Sequence, residues 1–121
     1  YLIKKFFEKK YSTKIFSCKT IRNRNKVALS SRNFLLNRDD LKKAGFISQQ
    51  LIELKSQINK NKDKANYLIK KIKKNLINKY DIKIEYLEAR NLTNLGTNII
   101  KKKYKIFIAF YINKVRLIDN F

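Results

Sequence analysis

Two serines and an arginine stand together in residues 28–33, ALSSRN, between two apolar runs. The hydroxyls of Ser30 and Ser31 can donate hydrogen bonds to phosphate oxygens, and the planar guanidinium of Arg32 can contact two such oxygens at once. The same residue types also cap helices and face solvent in many loops. Chemistry alone therefore leaves two interpretations open, a phosphate-binding loop and a solvated helix start.

Other catalytic or metal-binding groups are scarce in this sequence. Histidine is absent and Cys18 is the single cysteine, which excludes an intrachain disulfide and a His/Cys metal cluster. Cys18 is predicted to be a small hydrophobic residue near a strand end. Asp39 and Asp40 are interpreted as the acidic start of a helix rather than as Mg²⁺ ligands. We therefore predict neither a catalytic residue nor a metal site in this chain.

The charge balance is strongly basic, with 30 Lys and Arg against 9 Asp and Glu and a net charge of +21. Such a field attracts nucleic acid or anionic membranes. Only six of the basic residues are arginine, however, and the abundant Lys, Asn, Ile, Tyr and Phe are the residues of A/T-rich codons. Compositional drift explains the excess better than a polyanion partner, because the lysines are spread over every segment and the aromatic residues are expected mostly in the core.

Length and composition predict a single domain in a reducing compartment. The 121 residues are enough for a modest core. The sequence has no run of about eighteen uncharged apolar residues and no signal-peptide pattern, which favours a soluble, cytoplasmic protein. It begins at Tyr1 and contains no methionine, so we expect the distal part of a longer chain.

The loop with the two serines must be positioned by the elements on either side of it. Upstream, a helix over residues 1–11 is followed by a short strand at 13–17, TKIFS. The apolar face of that helix consists of Leu2, Ile3, Phe6 and Phe7. Downstream, Asn37 is predicted as the N-cap of a helix over residues 38–59, in which Gly45 is unfavourable. The apolar stripe of this helix is Leu41, Ala44, Ile47, Leu51, Leu54 and Ile58.

A second helix and a sheet are predicted after a polar break at 59–64. The helix, residues 65–79, has apolar residues at helical spacing: Ala65, Leu68, Ile72 and Leu76. The period then changes to two, which predicts a strand that buries Ile82, Ile84 and Tyr86. Residues 104–112 predict a central strand, and a two-residue turn at 113–114 leads into a third strand. The predicted fold class is α+β, a helical hairpin packed on a three-stranded, mainly antiparallel sheet.

Three motifs in this order and spacing resemble the pantothenate synthetase (pantoate-beta-alanine ligase) family. They are TIRNRNKVALSSRNFLL at 20–36, IEYLEARN at 84–91 and RLIDNF at 116–121. The resemblance implies the C-terminal portion of a nucleotidyltransferase related to the class I aminoacyl-tRNA synthetases. Residues 1–28 would then be the last helix and strand of a truncated Rossmann-like domain, and residues 29–121 a complete C-terminal lid domain.

The resemblance also implies a reaction and a site. ATP is the nucleotide substrate, as its Mg²⁺ complex, with phosphates contacted by Leu29, Ser30, Ser31 and Arg32, and Ile21 lies where the family holds adenine through main-chain atoms. The implied reaction condenses pantoate with beta-alanine through pantoyl adenylate and releases pyrophosphate and AMP. The implied partners are the N-terminal half of the enzyme and a second subunit of a homodimer, with no prosthetic group, specific nucleic acid or membrane. The chain alone is expected to be inactive.

Two alternatives remain open beside the ligase, a basic nucleic-acid-binding module and a degenerate, inactive remnant of the ligase. Three positions also depart from the family pattern. Lys19 stands where the family has proline, Asn23 where it commonly has an acidic residue, and Lys26 where it has glycine. Both lysines put a long charged side chain where the family uses a rigid or a minimal residue.

Overall fold

The computed structural model of the protein describes residues 2–121. Within them, three α-helices are formed: α1 (Leu2–Lys10), α2 (Arg38–Lys60) and α3 (Ala65–Tyr80). Three strands follow: β1 (Lys83–Asn91), β2 (Tyr104–Ile112) and β3 (Val115–Asn120). Short 3-10 turns, Ser31–Leu35 and Lys62–Lys64, precede α2 and α3. No helix in this part of the chain is both long and apolar enough to cross a bilayer.

Helix α2 begins where the capping pattern predicted. The Asn37 side chain accepts a hydrogen bond from the Asp40 amide at 2.8 Å, which satisfies one of the free N–H groups of the first turn. Five residues of the predicted stripe are buried and Leu41 is half-buried. Helix α2 continues through Gly45. The glycine leaves room for the preceding loop, because a Cβ at this position would lie 2.9 Å from the Asn25 carbonyl oxygen.

Helix α3 follows the polar break and packs against α2. Asn61 caps the intervening turn, since its side chain accepts a hydrogen bond from the Lys64 amide at 3.3 Å. Of the four apolar residues predicted to face the core, Ala65 and Leu76 are buried and the other two are half-buried. The helix ends at Tyr80, and its C-cap residue Asp81 is left-handed with φ 48°.

The sheet has the predicted antiparallel order β1-β2-β3, with β2 in the centre. Asn113, at φ 52°, begins the two-residue turn between β2 and β3, as the asparagine suggested. The predicted burial of Tyr86 is wrong. A β-bulge between Ile84 and Tyr86 shifts the alternation by one residue, so Leu87 rather than Tyr86 faces the core.

The two helices form one layer and the sheet the other, so the predicted α+β class is confirmed. Ile47 and Leu51 of α2 and Ile106 and Ile108 of β2 are among the largest fully buried side chains. These β-branched and leucine side chains make the contact between the layers. The core of α2, α3 and the sheet is therefore built without α1.

The segment before the core differs from its prediction. Helix α1 is confirmed over Leu2–Lys10, while Tyr1 and the side chain of Leu2 lie outside what the structure describes. The strand predicted at 13–17 is wrong: the segment belongs to no sheet, and Phe16 is 84% exposed. Cys18 is also exposed and distant in sequence from any strand, which corrects its predicted position near a strand end. Apolar residues spaced like a strand cannot form one without a neighbour to pair with.

Candidate functional site

Residues 21–29 form a short antiparallel ladder that faces solvent on one side. The Leu29 amide donates to the Ile21 carbonyl at 2.9 Å, and the Asn23 amide donates to the Val27 carbonyl at 2.9 Å. The turn closes through the Lys26 amide, which donates to the Asn23 carbonyl at 3.0 Å. Two of the predicted nucleotide-contacting residues, Ile21 and Leu29, are thus paired directly, and their side chains are 72% and 60% exposed.

The Ser30–Arg32 segment follows the ladder without a break. Ser30 is extended, and its hydroxyl accepts a hydrogen bond from the Arg32 amide at 3.3 Å. The Asn33 side-chain amide donates to the Ala28 carbonyl at 2.9 Å and ties the end of the segment back to the ladder. Ser30, Ser31 and Arg32 are all exposed. The structure therefore places all five predicted nucleotide-contacting residues on one continuous, exposed loop.

The guanidinium of Arg32 is held only loosely. Within residues 2–121 it donates to the Arg116 carbonyl oxygen at 3.5 Å, which is the long limit for a hydrogen bond. Beneath the loop, next to Arg32 and Asp119, lies a cavity of about 30 Å³. That volume is large enough for one water molecule and too small for a nucleotide.

A buried ion pair, which the sequence analysis did not predict, holds this loop against the end of the sheet. Arg22 donates to both carboxylate oxygens of Asp119, at 2.6 and 2.9 Å, with side chains 20% and 8% exposed. Its guanidinium also donates to the Asn120 and Lys26 carbonyls at 2.9 Å each and lies 4.4 Å from the centre of the Phe121 ring. The first and third motifs are thus joined by direct contact.

The surroundings of this pair are strongly cationic. Burial, followed by repulsion from Lys105 and Arg22, lowers the pKa of Lys55 on α2. The Lys105 amine donates to the Asn120 side chain at 2.6 Å, beside the ion pair. Asp119 therefore neutralises charge at a point where several basic groups converge, and removing it would leave Arg22 buried beside other cations.

The second motif, residues 84–91, has a structural role in this arrangement. Asn91 is 1% exposed, and its side-chain amide donates to the Gly96 and Asn98 carbonyls at 3.1 and 2.9 Å. Its side-chain oxygen accepts from the Thr93 and Asn94 amides at 3.0 and 3.1 Å. Asn91 thus shapes the loop after β1, which lies apart from the Ser30–Arg32 segment.

The two aspartates at the start of α2 are separated by their contacts. Asp39 is exposed and pairs with the Lys42 amine at 3.1 Å, whereas Asp40 is buried and accepts from the Asn113 side chain at 2.9 Å. Asp40 thereby connects α2 to the β2–β3 turn, a role that its position at a helix start did not indicate. Within residues 2–121, no group of three or more His, Cys, Asp or Glu side chains is placed to hold a metal ion.

Comparisons with known sequences give a consistent result. A family model described as Pantoate-beta-alanine ligase matches residues 1–121. A pantothenate synthetase of Flavobacterium psychrophilum is 37% identical, over 98% of this chain and 43% of its own length. That of Wigglesworthia glossinidia brevipalpis is 38% identical, over 91% of this chain and 40% of its own. The chain spans about two fifths of the length of these curated relatives.

Solved structures agree with the sequence relatives. Pantothenate synthetase from Thermus thermophilus superposes with a TM-score of 0.77 at 20% identity, over 94% of this chain and 41% of its own, which shows the fold. Pantoate-beta-alanine ligase from Francisella tularensis, complexed with beta-gamma ATP and beta-alanine, superposes with a TM-score of 0.59 at 34% identity. That match covers 99% of this chain and 38% of the Francisella chain.

Proposed function

The chain belongs to the pantoate-beta-alanine ligase family, and we propose that it supplies the ATP-phosphate loop and the lid for condensation of pantoate with beta-alanine. In the proposed first half-reaction, the pantoate carboxylate attacks the α-phosphorus of Mg-ATP and pyrophosphate leaves. In the second, the amine of beta-alanine attacks the acyl carbon of pantoyl adenylate and AMP leaves. Both substrates bring their own nucleophile, so the chain's task is to bind and position.

One observation carries this proposal: five residues implied by the family resemblance lie on one exposed loop that its own hydrogen bonds already shape. The Ser30 hydroxyl organises the turn and the Asn33 side chain closes it, as described above. The sequence from 19 to 38 contains six basic residues and no acidic one. A loop with this charge and these donors suits a polyphosphate.

The proposed chemistry of these residues is electrostatic. Negative charge develops on the transferring phosphoryl group and on the departing pyrophosphate. Arg32 can donate two parallel hydrogen bonds to such oxygens, and the hydroxyls of Ser30 and Ser31 can donate one each. The loosely held guanidinium of Arg32 needs to give up only a long contact with the Arg116 carbonyl to reach a phosphate. Closure of a lid over the nucleotide would exclude water and strengthen each contact.

We propose that the exposed apolar surface of α1 and Phe16 packs against the N-terminal half of a pantoate-beta-alanine ligase. Helix α1 leaves Ile3, Phe6 and Phe7 exposed, and Phe16 follows in an extended segment. Contiguous apolar surface of this kind marks an interface. The curated relatives are more than twice as long as the part that matches this chain. A domain boundary at 28/29, a homodimer and a cytoplasmic location stay predictions. Two contacts would cross such a boundary, because Val27 is buried in the core and Arg22 bonds Asp119 on β3.

One premise used against a nucleic-acid-binding module, the position of the aromatic residues, is wrong. Aromatic residues were expected mostly in the core, but only Tyr104, Phe110 and Phe121 are buried among the described ones. Several exposed aromatic residues instead lie on or near α1, where the Lys10 amine is 5.4 Å from the centres of the Phe6 and Tyr11 rings. We ascribe that surface to the interface with the N-terminal half, because the sequence relatives are ligases.

Rapid-quench measurement of adenylate formation by the complete gene product tests the proposal. Arg32→Ala removes a charge-assisted contact made mainly in the transition state and should raise the activation free energy by roughly 2–4 kcal/mol. Arg38→Ala is the matched control, since Arg38 is an exposed arginine at the start of α2 and outside the five proposed contacts. A rate for Arg32→Ala within about threefold of the parent would refute the phosphate role. A parent that forms no adenylate would favour the inactive remnant.

A further inference from the structure

The geometry points to Arg22 and Asp119 as a positioning pair for the nucleotide, a role that rests on the proposed function. Neither residue is among those expected to touch ATP. Arg22 adjoins Ile21, whose main chain is proposed to hold adenine, and Asp119 lies on β3 of the lid. We infer that the pair sets where the nucleotide-contacting backbone sits relative to the lid.

The contacts of Arg22 come from two separate parts of the chain. Toward the sheet, its guanidinium meets both oxygens of Asp119, the Asn120 carbonyl and the face of the Phe121 ring. Toward its own loop, the same group donates to the Lys26 carbonyl at 2.9 Å. A single planar group thereby fixes the turn of the ladder and the end of β3 in one geometry. A lysine cannot reproduce this set, since its amine is one point charge without a planar fork.

The ladder transmits that geometry to the proposed binding groups. Arg22 is bridged to Ala28 across the ladder, and the neighbouring hydrogen bond joins Ile21 to Leu29. Alternate residues point to opposite sides, so Arg22 reaches inward while the side chains of Ile21 and Leu29 stay exposed. A shift of Arg22 therefore displaces the adenine-holding and the phosphate-holding ends of the loop together.

The pair lies at the margin of the lid's core and contacts it through the Phe121 ring. The core between α2, α3 and the sheet is built mostly from aliphatic side chains, together with Tyr104, Phe110 and Phe121, and Val27 is the ladder's own contribution to it. Loss of the ion pair should therefore release the ladder before it unfolds the lid. The expected consequence is weaker ATP binding rather than a smaller fraction of active enzyme.

The test compares Arg22→Lys and Asp119→Asn with the control Arg90→Lys in the complete gene product. Arg90 also pairs with a carboxylate, that of Glu88, and lies on β1 away from the loop. Rapid-quench measurement of adenylate formation across ATP concentrations gives an apparent Kd for ATP and a maximal rate. The second half-reaction, started from preformed adenylate, gives the KM for beta-alanine. Circular dichroism and thermal melting report folding, and the near-isosteric Asp119→Asn carries the test if Arg22→Lys does not fold.

Both variants of the pair should raise the apparent Kd for ATP about tenfold or more, because displacement of a binding group by about 1 Å is costly. The KM for beta-alanine should stay within about twofold of the parent, and Arg90→Lys should leave all three constants within that range. The double variant should be no weaker than the worse single variant. An unchanged Kd for ATP with a lower melting temperature would overturn the positioning role and leave the proposed function intact. A parent that forms no adenylate would refute both.

Discussion

Replacement of Lys26 by glycine should stabilise the protein. Lys26 lies at φ 68°, in the left-handed region, at the turn of the ladder that carries the proposed nucleotide contacts. The family pattern has glycine at this position, so the structure supplies the physical reason for that glycine. The Lys26 amide donates to the Asn23 carbonyl, and the Lys26 carbonyl accepts from the Arg22 guanidinium. Both Lys26 groups belong to the backbone. The substitution therefore keeps these hydrogen bonds and removes only the exposed side chain.

The magnitude follows from two opposing effects. A residue with a Cβ loses roughly 1–2 kcal/mol in the left-handed conformation, and glycine recovers that loss. Glycine also increases the conformational entropy of the unfolded chain, which costs about 0.4–1 kcal/mol. At the middle of both ranges the net gain should be about 0.8 kcal/mol, corresponding to about 2–5 °C in Tm for a domain of this size.

Urea and thermal denaturation of three single variants provide the measurement. Lys26→Gly is compared with Lys101→Gly, at φ 55°, and with Lys19→Gly, an exposed lysine outside the left-handed region. The first two should be more stable than the parent, whereas Lys19→Gly should be less stable by roughly 0.5–1 kcal/mol. A Lys26→Gly variant as destabilised as Lys19→Gly would refute the strain at this turn.

Two further predictions concern the second motif and the sheet edge. Asn91→Ala removes four hydrogen bonds from a buried position and should lower the free energy of unfolding by about 2–4 kcal/mol in urea denaturation; a loss below about 1 kcal/mol would contradict its role. The hydrogen bond from Arg116 lowers the pKa of Glu85. The stabilisation from this pair is therefore present above the pKa of Glu85 in the unfolded chain, and it is lost as pH falls through the lower pKa of Glu85 in the folded protein. Glu85→Gln should therefore flatten the decline of the urea midpoint between about pH 5 and pH 3, and equal slopes for parent and variant would refute this.

The elements that the sequence predicts well are those fixed by local periodicity and capping. Each of these features depends on residues that are close together in the sequence. Examples are the apolar stripe from Ala44 to Ile58, the cap at Asn37 and the turn at Asn113. The errors lie where distant partners decide. The bulge at Glu85 moves Tyr86 off the core face, and the exposed carboxylate meets Arg116 across the sheet. Neither the bulge nor its partner strand can be seen in the alternation of residues 82–86.

The site shows the same division between local and distant information. The Ser30–Arg32 segment was found because its residue types match phosphate chemistry and its motif resembles a family. Arg22 and Asp119 lie within two of the motifs, but their contact joins positions 97 residues apart and leaves no local pattern. Asp40 was explained by its position in the first helical turn, which concealed its bond to Asn113. A residue that satisfies a local rule therefore gives no sign of a second, distant contact.

Arginine use is the sequence signal that could have led to Arg22. Only six of the thirty basic residues are arginine. Lysine is therefore the common choice wherever a positive charge alone suffices. Within residues 2–121, the arginines that hold a carboxylate are Arg22, Arg90 and Arg116, each with two guanidinium nitrogens within ion-pair distance of the acid. Planar, two-point contact is what lysine cannot provide. Arg22, Arg90 and Arg116 therefore mark positions where geometry rather than charge is required, and Arg32, which holds no carboxylate, still has that geometry available for a phosphate.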